Sequence, residues 1–97
     1  MKKVKFIDAA RREFLEQVAH YNSEQSGLGE RFAKSVEEAV TLAISFPLAG
    51  SLSVSNTRRI MTRDFPFSVF YQSDSSAIVI FVVAHQARQP GYWQSRL

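Results

Sequence analysis

Hydrophobic and polar positions change period twice along this 97-residue chain. Val4-Lys5-Phe6-Ile7 predicts a short strand, and Asp8 follows where a helix N-cap belongs, before Ala9-Ala10-Arg11-Arg12-Glu13. Phe14, Val18 and Tyr21 then recur at helical spacing with Leu15 alongside, which predicts a helix from about Ala9 to about Gln25. Gly27 and Gly29 punctuate its end. A second helix carries the clearer stripe: Leu28, Phe32, Val36, Ala39, Val40 and Ala43 share one face, while Arg31, Lys34, Glu37 and Glu38 fall mostly elsewhere. Pro47 stops it, since proline cannot continue a helix. Two amphipathic helices joined by a few residues pack as an antiparallel hairpin.

Residues 48–57 are small and polar and predict a loop. From Arg58 the period becomes two. Ile60 and Thr62 alternate with Arg59, Met61 and Arg63, the pattern of a strand with one wet, basic face. Phe65-Pro66 breaks it, and Phe67 to Tyr71 is aromatic and β-branched, a second strand. Asp74-Ser75-Ser76 is a hairpin turn. Ala77 to Ala84 is apolar at every position, as expected of a central strand covered on both faces. The order is β-α-α-β-β-β. It predicts one α+β domain over residues 1–97: an antiparallel meander, extended by the N-terminal strand, packed on the helical hairpin.

Composition narrows the class. The chain is 45% hydrophobic and 22% charged, and a domain of this length buries roughly two-thirds of the surface its unfolded chain exposes. With no cysteine, a disulfide, a thiolate nucleophile and a thiolate metal site are excluded. No apolar run follows the basic N-terminal residues as a signal peptide requires, and none approaches the ~20 apolar residues of a membrane span. The expected location is the cytoplasm, without membrane contact.

The net charge of +3 is unevenly spread. Residues 1–49 balance, with seven basic and seven acidic side chains, whereas residues 50–97 carry five Arg (58, 59, 63, 88 and 96) against Asp64 and Asp74. Arg forms planar forked hydrogen bonds to phosphate and carboxylate. On one strand, Arg59 and Arg63 share a face and Arg58 takes the other. Neighbouring guanidinium groups repel unless an anion lies between them, so a phosphate or a partner's carboxylate is one reading and a solvated edge the other. Arg88, Tyr92, Trp93 and Arg96 form a basic-aromatic cluster in the tail, able to stack on a base or to plug the end of the core. His85 follows the apolar strand at the sheet margin, where it can exchange a proton near neutral pH or serve as a hydrogen-bonded structural residue. His20 sits mid-helix among polar neighbours and belongs on the surface. The two histidines stand far apart in sequence with no acidic cluster beside either, which argues against a metal site, and nothing calls for a cofactor.

The order of short motifs resembles the RelE/ParE toxins of bacterial type II toxin–antitoxin systems. The matching pieces are Gly-Leu-Gly-Glu-Arg-Phe (27–32), Phe46-Pro47-Leu48-Ala49-Gly50, Arg58-Arg59-Ile60, Phe65 to Tyr71, Val83-Ala84-His85, and Arg88-Gln89-Pro90-Gly91-Tyr92-Trp93. They span essentially the whole chain in order. Phe46-Pro47 and Phe65-Pro66-Phe67 also have purely structural readings, ending a helix over the core and burying a strand start.

The resemblance implies growth arrest, neutralisation by a cognate antitoxin protein, oligomers formed through the antitoxin complex, and one of two activities on a shared fold; a non-toxic member that only binds its partner is the third alternative. RelE-like members cleave mRNA in the ribosome, while ParE-like members poison DNA gyrase. Cleavage through the 2′-hydroxyl needs a base, cations and an acid. RelE-like nucleases supply these with several Lys and Arg, or with a Glu, a His and a terminal Tyr. Here no Lys follows Lys34 and no Glu follows Glu38. His85, Arg59, Arg63 and Tyr92 make only a reduced catalytic set. The resemblance therefore points to the ParE-like branch, with Arg58, Arg59, Arg63, Arg88, Trp93 and Arg96 as target- or antitoxin-binding residues.

Overall fold

A computed structural model describes residues 2–89 and 91–97. The chain runs through β1 (Lys3–Phe6), α1 (Asp8–Glu24), α2 (Leu28–Ser45), β2 (Ser51–Leu52), β3 (Arg58–Met61), β4 (Phe67–Ser73) and β5 (Ala77–His85). These strands form one sheet in the order β1-β5-β4-β3-β2. The α+β class and the helix-hairpin-on-sheet layering follow the hydrophobic pattern. The sheet is mixed rather than antiparallel, however, because β1 pairs with β5 in parallel, Lys3 opposite Ala77 and Phe6 opposite Ile80. Everything between these two strands intervenes, which leaves ample chain for a parallel crossover.

Local signals explain most boundaries. Ile7, in extended conformation, holds the N-cap position of α1, and Asp8 lies inside the first turn instead of capping it. There its carboxylate meets the positive end of the helix. Gly27 adopts φ +86° at the start of α2, a left-handed conformation that glycine tolerates best. Gly29 does not break the chain. It is buried within α2, at the crossing of the helices, where any Cβ would collide with the Val18 carbonyl and the Asn22 side chain. The Asn22 Oδ1 accepts the Gly29 N–H at 2.6 Å. At the β4–β5 turn, the Asp74 Oδ1 accepts the N–H groups of Ser76 and Ala77, both at 2.7 Å. These bonds hold the Asp74 carboxyl below its usual range.

The predicted stripe of α2 faces the sheet: Phe32, Val36, Ala39, Val40 and Ala43 are buried there with Val69, Ile78 and Ile80. Phe32 anchors an aromatic cluster, its ring 4.8 Å from Phe67, 5.2 Å from Tyr21 and 5.4 Å from Phe65. Phe65 and Phe67 thus bury a strand start. Phe46 departs from its expected place over the core and is 64% exposed.

The segment 48–57, expected as a loop, contributes the edge strand β2, paired with β3 through Ser51–Arg59 and Leu52–Arg58. Two side chains hold its entry. The buried Tyr71 hydroxyl donates to the Pro47 carbonyl at 2.8 Å and accepts the Gly50 N–H at 3.1 Å. Arg58 donates to the Gly50 carbonyl at 2.9 Å and the Leu48 carbonyl at 3.3 Å. Gly50 is required here, since a Cβ would lie 2.8 Å from the Tyr71 hydroxyl oxygen. Removing that hydroxyl strands a buried donor and acceptor. Tyr71→Phe is therefore expected to destabilise the fold by about 1–3 kcal/mol in urea titration, with the m-value unchanged.

Candidate functional site

The site begins with a register shift. Phe70 pairs with Val82 and Tyr71 with Ile80, so Phe81 is an extra residue in β5. Such a bulge interrupts strict alternation. Before it, Ile78 and Ile80 face the helices; beyond it, Val83 joins that same core while Phe81, Val82 and Ala84 join a second one with Trp93. His85 ends the strand opposite Phe67, with the rings edge-to-face at 5.0 Å. Its Nδ1 accepts the Ala87 N–H at 2.9 Å. That bond assigns the neutral ring's proton to Nε2 and leaves that nitrogen as a donor.

The C-terminal tail covers the second face of the sheet. Trp93 is 2% exposed and stacks on Phe70 with ring centroids 4.7 Å apart. Arg96 forks onto the Glu13 carboxylate of α1, at 2.9 Å and 2.5 Å, and donates to the carbonyl of the bulged Phe81 at 3.1 Å. Glu13's hydrogen bonds raise the Arg96 pKa and keep it charged. Between them Tyr92 lies under Arg88, whose guanidinium carbon is 4.0 Å from the ring centroid. Burial, and then the charge of Glu13, push the Tyr92 phenol up, with Arg88 and Arg96 opposing.

His85, Arg88 and Tyr92 form a wall shared by two clefts. On one side is a cleft of about 420 Å³ closed by Glu13, Glu16, Gln17 and His20 of α1. On the other is a groove of about 320 Å³ reaching Arg59, Phe70 and Trp93. The sequence placed no carboxylate near His85, and the fold corrects this by bringing Glu13 and Glu16 into its cleft. Only three-dimensional packing of α1 on β5 makes that proximity, and no local signal announces it. Among the described residues no three acidic or histidine side chains are arranged to hold a metal. His20 itself is exposed and pairs with Glu24 at 3.0 Å.

The five arginines separate into two groups. Arg58 binds carbonyls of the 48–50 turn, and Arg96 binds Glu13. Arg59, Arg63 and Arg88 have exposed side chains with no carboxylate partner among the described residues. Burial still alternates as far as Arg63, but β3 ends at Met61, so Arg63 stands in the following bend rather than beside Arg59 on a strand. The chain turns there because Thr62 donates its N–H to the Phe67 carbonyl and its hydroxyl to the Phe65 carbonyl, at 2.9 Å and 3.0 Å. Trp93 is a plug between tail and sheet. Pro90, part of the tail motif, lies outside the described residues.

A family model described as the ParE toxin of the type II toxin–antitoxin system parDE matches residues 4–90. The chain belongs to the ParE toxin family. The fold agrees: a chain of the chromosomal ParDE TA system from P. aeruginosa is similar to this one with a TM-score of 0.73, at 18% identity, covering 88% of this chain and 96% of that chain. No match was found among curated protein sequences. Among the described residues of this ParE-family chain, no helix is long and apolar enough to cross a membrane.

The division of the arginines has a measurable consequence. Arg96→Lys keeps the charge but loses the fork to Glu13, and is expected to cost about 1 kcal/mol, seen as a lower thermal midpoint. Arg59→Ala and Arg63→Ala, both wet, are expected to stay within about 0.5 kcal/mol of the parent in the same melt.

Proposed function

We propose that this ParE-family chain is a toxin that arrests bacterial growth by inhibiting DNA gyrase, is neutralised by a cognate antitoxin in the cytoplasm, and forms oligomers through that complex. Family membership supports the toxin role. The choice of gyrase over ribosome-bound mRNA rests on the orientation of His85. A base for the 2′-hydroxyl needs a free nitrogen lone pair, and the only one on the neutral ring is engaged by the Ala87 N–H. Of the other nuclease candidates, Arg59 and Tyr92 line one groove with His85, Tyr92 under Arg88, whereas Arg63 stands apart in the bend after β3. A gyrase poison requires no proton transfer by the toxin. Arg59, Arg63 and Arg88 are then the charged contacts available to the target or antitoxin, while Arg58, Trp93 and Arg96 hold the surface in shape.

For the antitoxin, the reading is an amphipathic helix and an extended segment lying across the helical hairpin and a sheet edge. The open side of β1 fits it. A groove of about 440 Å³ there is lined by Val4, Phe6, Phe14 and Leu15 together with Lys5 and Arg11. An acidic, partly apolar segment complements that surface. An interface mapped only to residues 48–57 would exclude this arrangement.

Purified protein is expected to inhibit gyrase supercoiling and to leave mRNA uncut on translating ribosomes. His85→Gln, which retains a hydrogen-bonding side chain, is expected to keep growth arrest. Arg59→Ala and Arg63→Ala are expected to weaken it without unfolding the chain. If the parent cuts mRNA and a stably folded His85→Gln variant loses both cleavage, by roughly 100-fold or more, and growth arrest, the nuclease reading replaces this one.

A further inference from the structure

The groove beside β3 has a one-sided chemistry. Its fourteen described lining residues include Arg59 and Arg88 but no Asp or Glu. His85, Gln86, Gln89 and Gln94 also line it, and their Nε2–H and side-chain amides are further donors. Part of the lining is apolar, from Phe70, Trp93 and the half-exposed Val54. Across the His85–Tyr92 wall the neighbouring cleft carries Glu13 and Glu16. The fold thus sorts carboxylates to one side of that wall and leaves the other side able to meet an anion.

We propose that this groove binds a short extended peptide segment of a partner protein, taking its Asp or Glu side chains between Arg59 and Arg88 and an adjacent apolar side chain against Val54 and Phe70. The inference rests on the reading of this basic face as partner-facing, and adds the chemical class of what it meets. Forked guanidinium groups match carboxylates bidentately, and glutamine amides pair equally well with a peptide backbone. A nucleic-acid strand is the poorer fit. Its affinity comes from neutralising many phosphates, whereas Arg58 and Arg96 are engaged inside the fold and only two arginines line the groove.

Trp93 is the only tryptophan in the chain and lines the groove, so binding is followed by its emission and, because the ring is nearly buried, by titration calorimetry as well. The probes are the capped peptide Leu-Glu-Phe-Glu-Leu, the same peptide with Gln in place of Glu, and a single-stranded oligonucleotide of similar length. The acidic peptide is expected to give a saturable change in Trp93 emission and the Gln peptide to bind at least about tenfold more weakly. Arg59→Gln is expected to lose a similar factor, whereas Arg63→Gln, outside the groove, retains parental affinity. Circular dichroism checks that each variant is folded. Equal affinity for the two peptides, no saturable response to the acidic one, or tighter binding of the oligonucleotide would overturn the proposal. Growth arrest by the parent is scored separately. Its absence counts against the toxin reading, while the peptide measurement alone decides the chemistry of the groove.

Discussion

β5 must be covered on both faces, and the architecture is arranged around that requirement. Ile78, Ile80 and Val82 are fully buried along it, each contributing on the order of 1.5–3 kcal/mol relative to exposure. No single layer can shield a strand from both sides. The helical hairpin takes one face, with Phe32 and the α2 stripe. The tail takes the other, with Trp93 on Phe70. β1 and β4 then satisfy the backbone of β5 on its two edges.

The site is a by-product of how the second cover is held. Having no regular strand or long helix of its own, the tail depends on a few directed bonds. Arg96 supplies them, joining Glu13 of α1 to the carbonyl exposed at the Phe81 bulge. With the tail fixed there, Arg88 and Tyr92 come beside His85 and build the wall between the two clefts. The acidic face of α1 lies on one side of the wall and the uncompensated Arg59 on the other. The arginines that shape the surface and those that face outward are different residues, so stability and partner contact are separable by substitution.

The 46–50 turn shows the same economy on the opposite edge. Tyr71 reaches out of the core to hold Pro47 and Gly50, and Arg58 grips the carbonyls of Leu48 and Gly50. A short polar segment thereby becomes an edge strand only two residues long. Short edges offer little backbone for unwanted sheet extension.

Much of this was legible in the residues. The 3.6 period of Phe32 to Ala43 and the unbroken apolar run from Ala77 specify the helix face and the central strand, because such periods record which side meets the core. The Asp74 turn follows from its own side chain, and the ordered motifs sufficed for the family resemblance. Other features were decided only by tertiary structure. Parallel pairing of β1, the pairing of residues 51–52 and the bulge at Phe81 depend on partners distant in sequence. So does the fate of each arginine: Arg58 and Arg96 look no different from Arg59 and Arg88 in a one-dimensional pattern. Whether a guanidinium meets a carbonyl, a carboxylate or water is settled by what the fold brings within about 3 Å of it. Local periodicity encodes burial, and says nothing of which remote polar group will be the neighbour.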